Sequence, residues 1–186
     1  MRFITRLAVV GSAIGLGALT AVPALASPAT NVSFFAQGSA TAQWLPSQSA
    51  IQVTVPSSSS YAVIVFHHVS ATAPSSAPAF TAVDASGNSM PTSGSPRWYI
   101  QFSSGGYLFG YPAPEAFWAV NACGAGTNSY DSGSYQGDYA AALAAVNGYC
   151  PGTVTGVYIV NDSSQSTPYT DTIAGIQYNG IMYTNS

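Results

Sequence analysis

The sequence predicts a mostly β protein: an antiparallel, jelly-roll-like β-sandwich with one short helix between two cysteines. Three observations point there. Arg97 to Tyr111 reads as a β-hairpin, roughly nine short apolar or alternating runs are separated by turn signals about every ten residues, and one stretch, Tyr135 to Val146, changes to helical spacing.

The hairpin is the clearest element. Alternation places Trp98, Ile100 and Phe102 on one face of its first strand, with Arg97, Tyr99 and Gln101 on the other. A four-residue loop, Ser103-Ser104-Gly105-Gly106, sets Phe102 opposite Tyr107, Ile100 opposite Phe109 and Trp98 opposite Tyr111. All six large side chains then share the core face, and Tyr99 covers Gly110 on the outer one.

The other elements follow in order. Asn31 to Ala36 reads as a strand and Gly38 to Ser49 as a loop, in which Trp44 and Leu45 need cover. Ile51 to Val55 alternates, and Pro56 with four serines turns the chain. Tyr61 to Val69 is apolar on both faces, and its β-branched content makes it a central strand rather than a buried helix. Phe80 to Asp84 is a weak strand followed by the turn Ser86 to Ser89. Pro112 and Pro114 end the hairpin, and Glu115 to Asn121 starts the next strand. Tyr135, Tyr139, Ala142, Leu143 and Val146 form a helical stripe, with Asp138 near its start, Gly148 past its end and Pro151 beyond. Val154 to Asn161 and Thr172 to Tyr178 are strands, and Asn179-Gly180 signals a type I′ turn into a last strand, Ile181 to Tyr183.

Residues 1–26 read as a secretory signal peptide. Arg2 and Arg6 form a basic start, Leu7 to Ala21 an apolar run, and Pro23-Ala24-Leu25-Ala26 a cleavage site. A membrane anchor is the other reading. Glycines within the run and the lack of a basic stop-transfer cluster favour cleavage, after which no membrane association is expected. Residues 27–186 are then a single secreted domain with no lysine, one arginine and six acids, a net charge of −5. So few cations exclude nucleic acid as a partner. Cys123 and Cys150, an even pair in an exported chain, read as one disulfide, which in the chain-entropy model contributes roughly 3.5 kcal/mol. As metal ligands they lack companions.

Gly94-Ser95-Pro96-Arg97-Trp98-Tyr99-Ile100, Gly110-Tyr111-Pro112, Val157-Tyr158-Ile159-Val160, Thr170-Asp171-Thr172-Ile173 and Ile176-Gln177-Tyr178-Asn179-Gly180 together carry a resemblance. The pattern resembles a group of small secreted bacterial proteins of unassigned function. Its closing strands are similar to those of β-sandwich modules appended to secreted polysaccharide-active enzymes. The resemblance spans about half of residues 27–186 and implies a fold and a compartment, with no catalytic residue to transfer.

Motifs of catalysis are absent: no G-x-S-x-G, no phosphate-binding glycine loop, no H-E-x-x-H, no EF-hand spacing. No cofactor or metal is expected. His67 and His68 would point to opposite faces of a strand and so cannot share a metal, leaving one at a core or edge position and the other exposed. Glu115, the sole glutamate, could pair with an aspartate in glycosidase fashion, against the plainer reading that it opens a strand and faces solvent. The Asn128 to Asp138 loop could hold Ca²⁺, but Asx turns and helix capping explain it without a metal. Arg97 either pairs with one of the acids or offers its fork to a ligand, and the internal pair is the favoured reading. Trp98, Phe102, Phe109 and Trp118 read as core, and Tyr99, Tyr107, Tyr130 and Tyr169 as outward rings.

Two functions fit. One is a non-catalytic module binding an uncharged polysaccharide or cell-wall glycan, with Arg97, Tyr99 and Gln101 as the contact. The other is a structural or protein-interaction component of the cell exterior with no small-molecule site. A hydrolase fits less well.

Overall fold

Alternating and doubly apolar runs need two layers to cover them, and the chain builds two antiparallel sheets. The computed structural model describes residues 31–45, 49–89, 95–112, 115–121, 129–130, 138–149, 151–162 and 167–184. Among them are twelve strands: β1 (Val32–Gln37), β2 (Thr41–Leu45), β3 (Ala50–Val55), β4 (Tyr61–Phe66), β5 (Ala79–Asp84), β6 (Arg97–Phe102), β7 (Tyr107–Pro112), β8 (Glu115–Asn121), β9 (Ser129–Tyr130), β10 (Val154–Asn161), β11 (Tyr169–Tyr178) and β12 (Ile181–Met182). One helix, α1 (Tyr139–Tyr149), lies between β9 and β10. The signal-peptide residues and both cysteines lie outside the described residues, as does most of the proposed calcium loop.

The wide sheet runs β1-β4-β10-β6-β7-β8-β9; in the narrow one β11 pairs with β3 on one side and β5 on the other, β2 lies beyond β3, and β12 pairs with the end of β11. This is the antiparallel β-sandwich expected from the alternation. Its core centres on Trp98, fully buried, whose ring meets Phe66, Phe80 and Tyr178 at centroid distances of 5.3, 5.8 and 6.1 Å. The narrow sheet does not cover all of the wide one, and α1 fills the remainder against β7 and β8. Ala142 and Val146 of its stripe are buried, and Tyr139 packs edge-on against Phe117 at 5.0 Å.

Two carboxylates hold the start of that helix. Asp138 Oδ1 accepts a hydrogen bond from Ala141 N at 3.1 Å, the N-cap its position suggested, and Glu115 Oε1 accepts from Tyr139 N at 2.6 Å. Each satisfies a backbone donor that the helix cannot, and a cap of this kind contributes about 1 kcal/mol. The sole glutamate of the sequence is therefore engaged in capping, a contact across 24 positions that no local pattern reveals.

Three expectations are corrected. Thr41–Leu45, read as loop, is strand β2, where Trp44 finds its cover against Phe34 at 6.4 Å. β4 ends at Phe66, so His67 and His68 lie beyond it and both are exposed. His67 Nε2 lies 2.7 Å from Ser33 Oγ, and His68 sits at φ 55°. The third correction is to the hairpin register. Phe102 N donates to Gly106 O at 2.9 Å and Gly105 N to Phe102 O at 3.0 Å, with Gly105 at φ 89°. The loop is thus three residues long, closed by a glycine in the left-handed region, rather than four. Ile100 pairs with Leu108, Tyr99 with Phe109 and Trp98 with Gly110. A slip of one residue inverts a strand, so Tyr107, Phe109 and Tyr111 leave the core face and Leu108 and Gly110 join it. Gly110 therefore lies under Phe117, not Tyr99: a Cβ there would stand 2.5 Å from Phe117 Cδ1 and meet the Ala116 carbonyl as well.

Candidate functional site

The shifted register gathers rings on the outer face of the wide sheet. One row across it reads Val65, Tyr158, Tyr99, Phe109, Trp118 on β4, β10, β6, β7 and β8. Gln101 and Tyr107 flank it on one side, and Val63, Val160, Arg97 and Tyr111 on the other. Ring contacts then run without a break. Tyr158 meets Tyr99 at 6.0 Å, Tyr99 stacks on Tyr107 at 4.7 Å, Tyr107 meets Phe109 at 6.5 Å, Phe109 stacks on Trp118 at 5.3 Å, and Trp118 meets Tyr111 at 5.8 Å. Phe109 and Trp118 are within 13° of parallel. Stacked planes touch at about 3.5–4.0 Å, so a centroid separation of 5.3 Å means offset rings that overlap like roof tiles. Four of the rings in the run keep part of their surface exposed: Tyr107, Phe109, Trp118 and Tyr158 are half-buried.

Beneath the rings lies a second, smaller apolar cluster of Val63, Tyr99 and Val160, separate from the main core. A β-bulge at Thr155 serves both layers. Val154 and Gly156 oppose consecutive residues of β6, and the extra residue between them returns Val154 to the core while leaving Gly156 under the Tyr158 ring. A side chain at Gly156 would displace that ring.

The three residues expected to contact a ligand all lie on this face, in different circumstances. Gln101 is partly exposed. Tyr99 is only 8% exposed because Tyr107 and Tyr158 lie over it; burial, then the charges its two neighbours would carry, push its phenol well above the ordinary tyrosine value. Arg97 is buried, and its fork is occupied by Asp162: Nη2 to Oδ2 at 2.6 Å and Nη1 to Oδ1 at 3.2 Å. Burial alone would lower the guanidinium pKa. The Asp162 charge and hydrogen bonds, with smaller contributions from Tyr111 and Tyr169, outweigh it and hold the group above its ordinary value. The favoured internal pair is the one present, and it leaves no fork for a ligand.

Asp162 is the centre of a wider knot. Ser95 Oγ donates to its carboxylate at 3.0 Å and accepts from its backbone N at 2.8 Å, while Tyr169 Oη donates to its carbonyl at 2.8 Å. Tyr169 belongs to the narrow sheet, so the knot ties the two layers at one end of the sandwich and turns this tyrosine inward rather than out. Sequence reasoning missed Phe109 and Trp118, which their size assigned to the core. The signal that could have found them is the glycine third in the Ser103-Ser104-Gly105 loop, which permits the shorter turn.

Among the described residues no group of three His, Cys, Asp or Glu side chains is placed to hold a metal ion, and no helix is long and apolar enough to cross a membrane. The class of protein is defined by fold and face together: an antiparallel β-sandwich with a continuous aromatic strip on the outside of its wide sheet. No protein-family model matches this chain, and no curated protein or solved structure matches it significantly.

Proposed function

We propose that the chain is an exported, non-catalytic binding protein that takes an uncharged polysaccharide or cell-wall glycan on the aromatic strip of its wide sheet. The observation that carries this reading is the unbroken run of six rings from Tyr158 to Tyr111, four of them partly uncovered, on a face whose Arg97 is neutralised by Asp162. Sugar C–H faces pack on aromatic surface, and Gln101 at the margin supplies an amide for hydroxyl groups. Two further observations support it. The leader reading of residues 1–26 fits export, and Glu115, the one glutamate, is engaged on the helix, which removes it from glycosidase chemistry.

The strip dictates which variant tests the proposal. Tyr99→Ala would open the cluster with Val63 and Val160, so a loss of binding there would be confounded with a loss of structure. Trp118→Ala and Tyr107→Ala remove half-buried rings instead. In a pull-down on a panel of insoluble polysaccharides and purified cell wall, wild type is expected to be retained by at least one member. Each variant is expected to lose about tenfold in affinity with its thermal transition little changed. Wild type retained by no member, or variants retained equally, would end the glycan reading and leave the structural or protein-interaction role.

A further inference from the structure

Resting on that reading, we infer that the strip recognises polysaccharide in its ordered, insoluble form and discriminates against the same polymer in solution. The rings stand on the face of a sheet and point away from a common plane, so each offers a sugar a shallow, one-sided contact. They pack against one another through two stacked pairs and three tilted or edge-on contacts, and are held in place before any ligand arrives, which keeps the protein's own ordering cost low. Contact at any one ring is therefore small, and retention depends on engaging several together. The strip crosses four adjacent strands, about 14 Å at the spacing of paired strands, and addresses consecutive residues of a straight chain.

A dissolved polysaccharide loses the freedom of each linkage it straightens, a cost that shallow contacts repay poorly. A chain fixed in a solid has already lost that freedom. Charge points the same way: on this face the Arg97 fork and the Asp162 carboxylate satisfy each other, so among the described residues no free charge there draws a charged, soluble polymer by long-range attraction. A neutral solid is the complementary partner.

The test compares physical forms of one chemistry. Wild type and the double variant Phe109→Ala/Trp118→Ala are depleted from solution by crystalline cellulose and by crystalline chitin. The corresponding hexasaccharides and hydroxyethyl cellulose are then added as competitors, and the mass of the free protein is followed by analytical ultracentrifugation. The expected result is depletion of wild type by at least one solid, a loss of about tenfold or more in the double variant, and no release by a soluble competitor at equal sugar concentration. Release by the soluble competitor would overturn this inference while leaving the glycan reading intact. Depletion by neither solid would overturn this inference, and failure on the whole insoluble panel would remove the glycan reading too. A wild-type dimer that the double variant abolishes would assign the strip to a second copy of the chain and overturn the inference as well.

Discussion

Ile100→Asp is expected to abolish folding, whereas Gln101→Asp, one residue further along the same strand, leaves the thermal transition nearly where it was. Ile100 is fully buried between Val157 and Leu108 on the core face of the wide sheet. A carboxylate there loses its hydration and gains no cation, since the only arginine among the described residues is already paired on the opposite face. Burying such a group unpaired costs several kcal/mol, a large part of the roughly 5–15 kcal/mol by which a domain is stable. Gln101 lies on the outer face and is partly exposed, so its replacement falls in the range of about ±0.5 kcal/mol usual for surface positions. Circular dichroism during heating checks both. A folded Ile100→Asp protein with an unmoved midpoint would mean that the two faces of β6 are reversed.

Asp162→Ala is the second large effect, expected to cost about 3–5 kcal/mol by leaving a buried guanidinium without its counter-charge. Arg97 cannot shed its proton to escape, because a guanidinium stays protonated in proteins. The variant also loses the Ser95 hydroxyl's carboxylate acceptor, while the backbone contacts of Ser95 and Tyr169 with residue 162 persist. The diagnostic comparison is the double variant Arg97→Met/Asp162→Leu. Removing both charges replaces the pair with apolar volume, and stability is expected to return to near the wild-type value in urea denaturation. Equal losses in the single and double variants would contradict the account, because the cost would then come from packing and not from an unpaired charge.

Much of the fold was legible in the sequence. β10 follows Val154 to Asn161 residue for residue, because its β-branched run is bounded by turn residues. The Asn179-Gly180 turn was readable because left-handed conformations favour those two residues, found at φ 51° and 75°. The helix was readable from its stripe and from Asp138. β2 was not: Gln43 and Trp44 sit among serines, alanines and a proline, and pairing with β3 rather than intrinsic preference makes the segment a strand.

The candidate site was legible only in part, and one glycine decided it. In Ser103-Ser104-Gly105-Gly106 either glycine could take the left-handed position, and the choice moves the pairing by one residue. Choosing Gly106 buries Phe109; the chain uses Gly105 and turns Phe109 outward beside Trp118. The Arg97–Asp162 pair and the Glu115 cap were hidden for another reason. Their partners lie 65 and 24 positions away, and only the assembled sheets bring them together.

The central claim is that the strip is the binding face, and hydroxyl-radical footprinting on the retaining polysaccharide tests it most directly. Tyr107, Phe109, Trp118 and Tyr158 are partly uncovered and oxidisable in the free protein, as are the exposed Ile181 and Met182 at the end of the narrow sheet. The account predicts that the polysaccharide protects the four ring residues and leaves Ile181 and Met182 labelled as before. Protection of Ile181 and Met182 with unchanged labelling of the rings would contradict it.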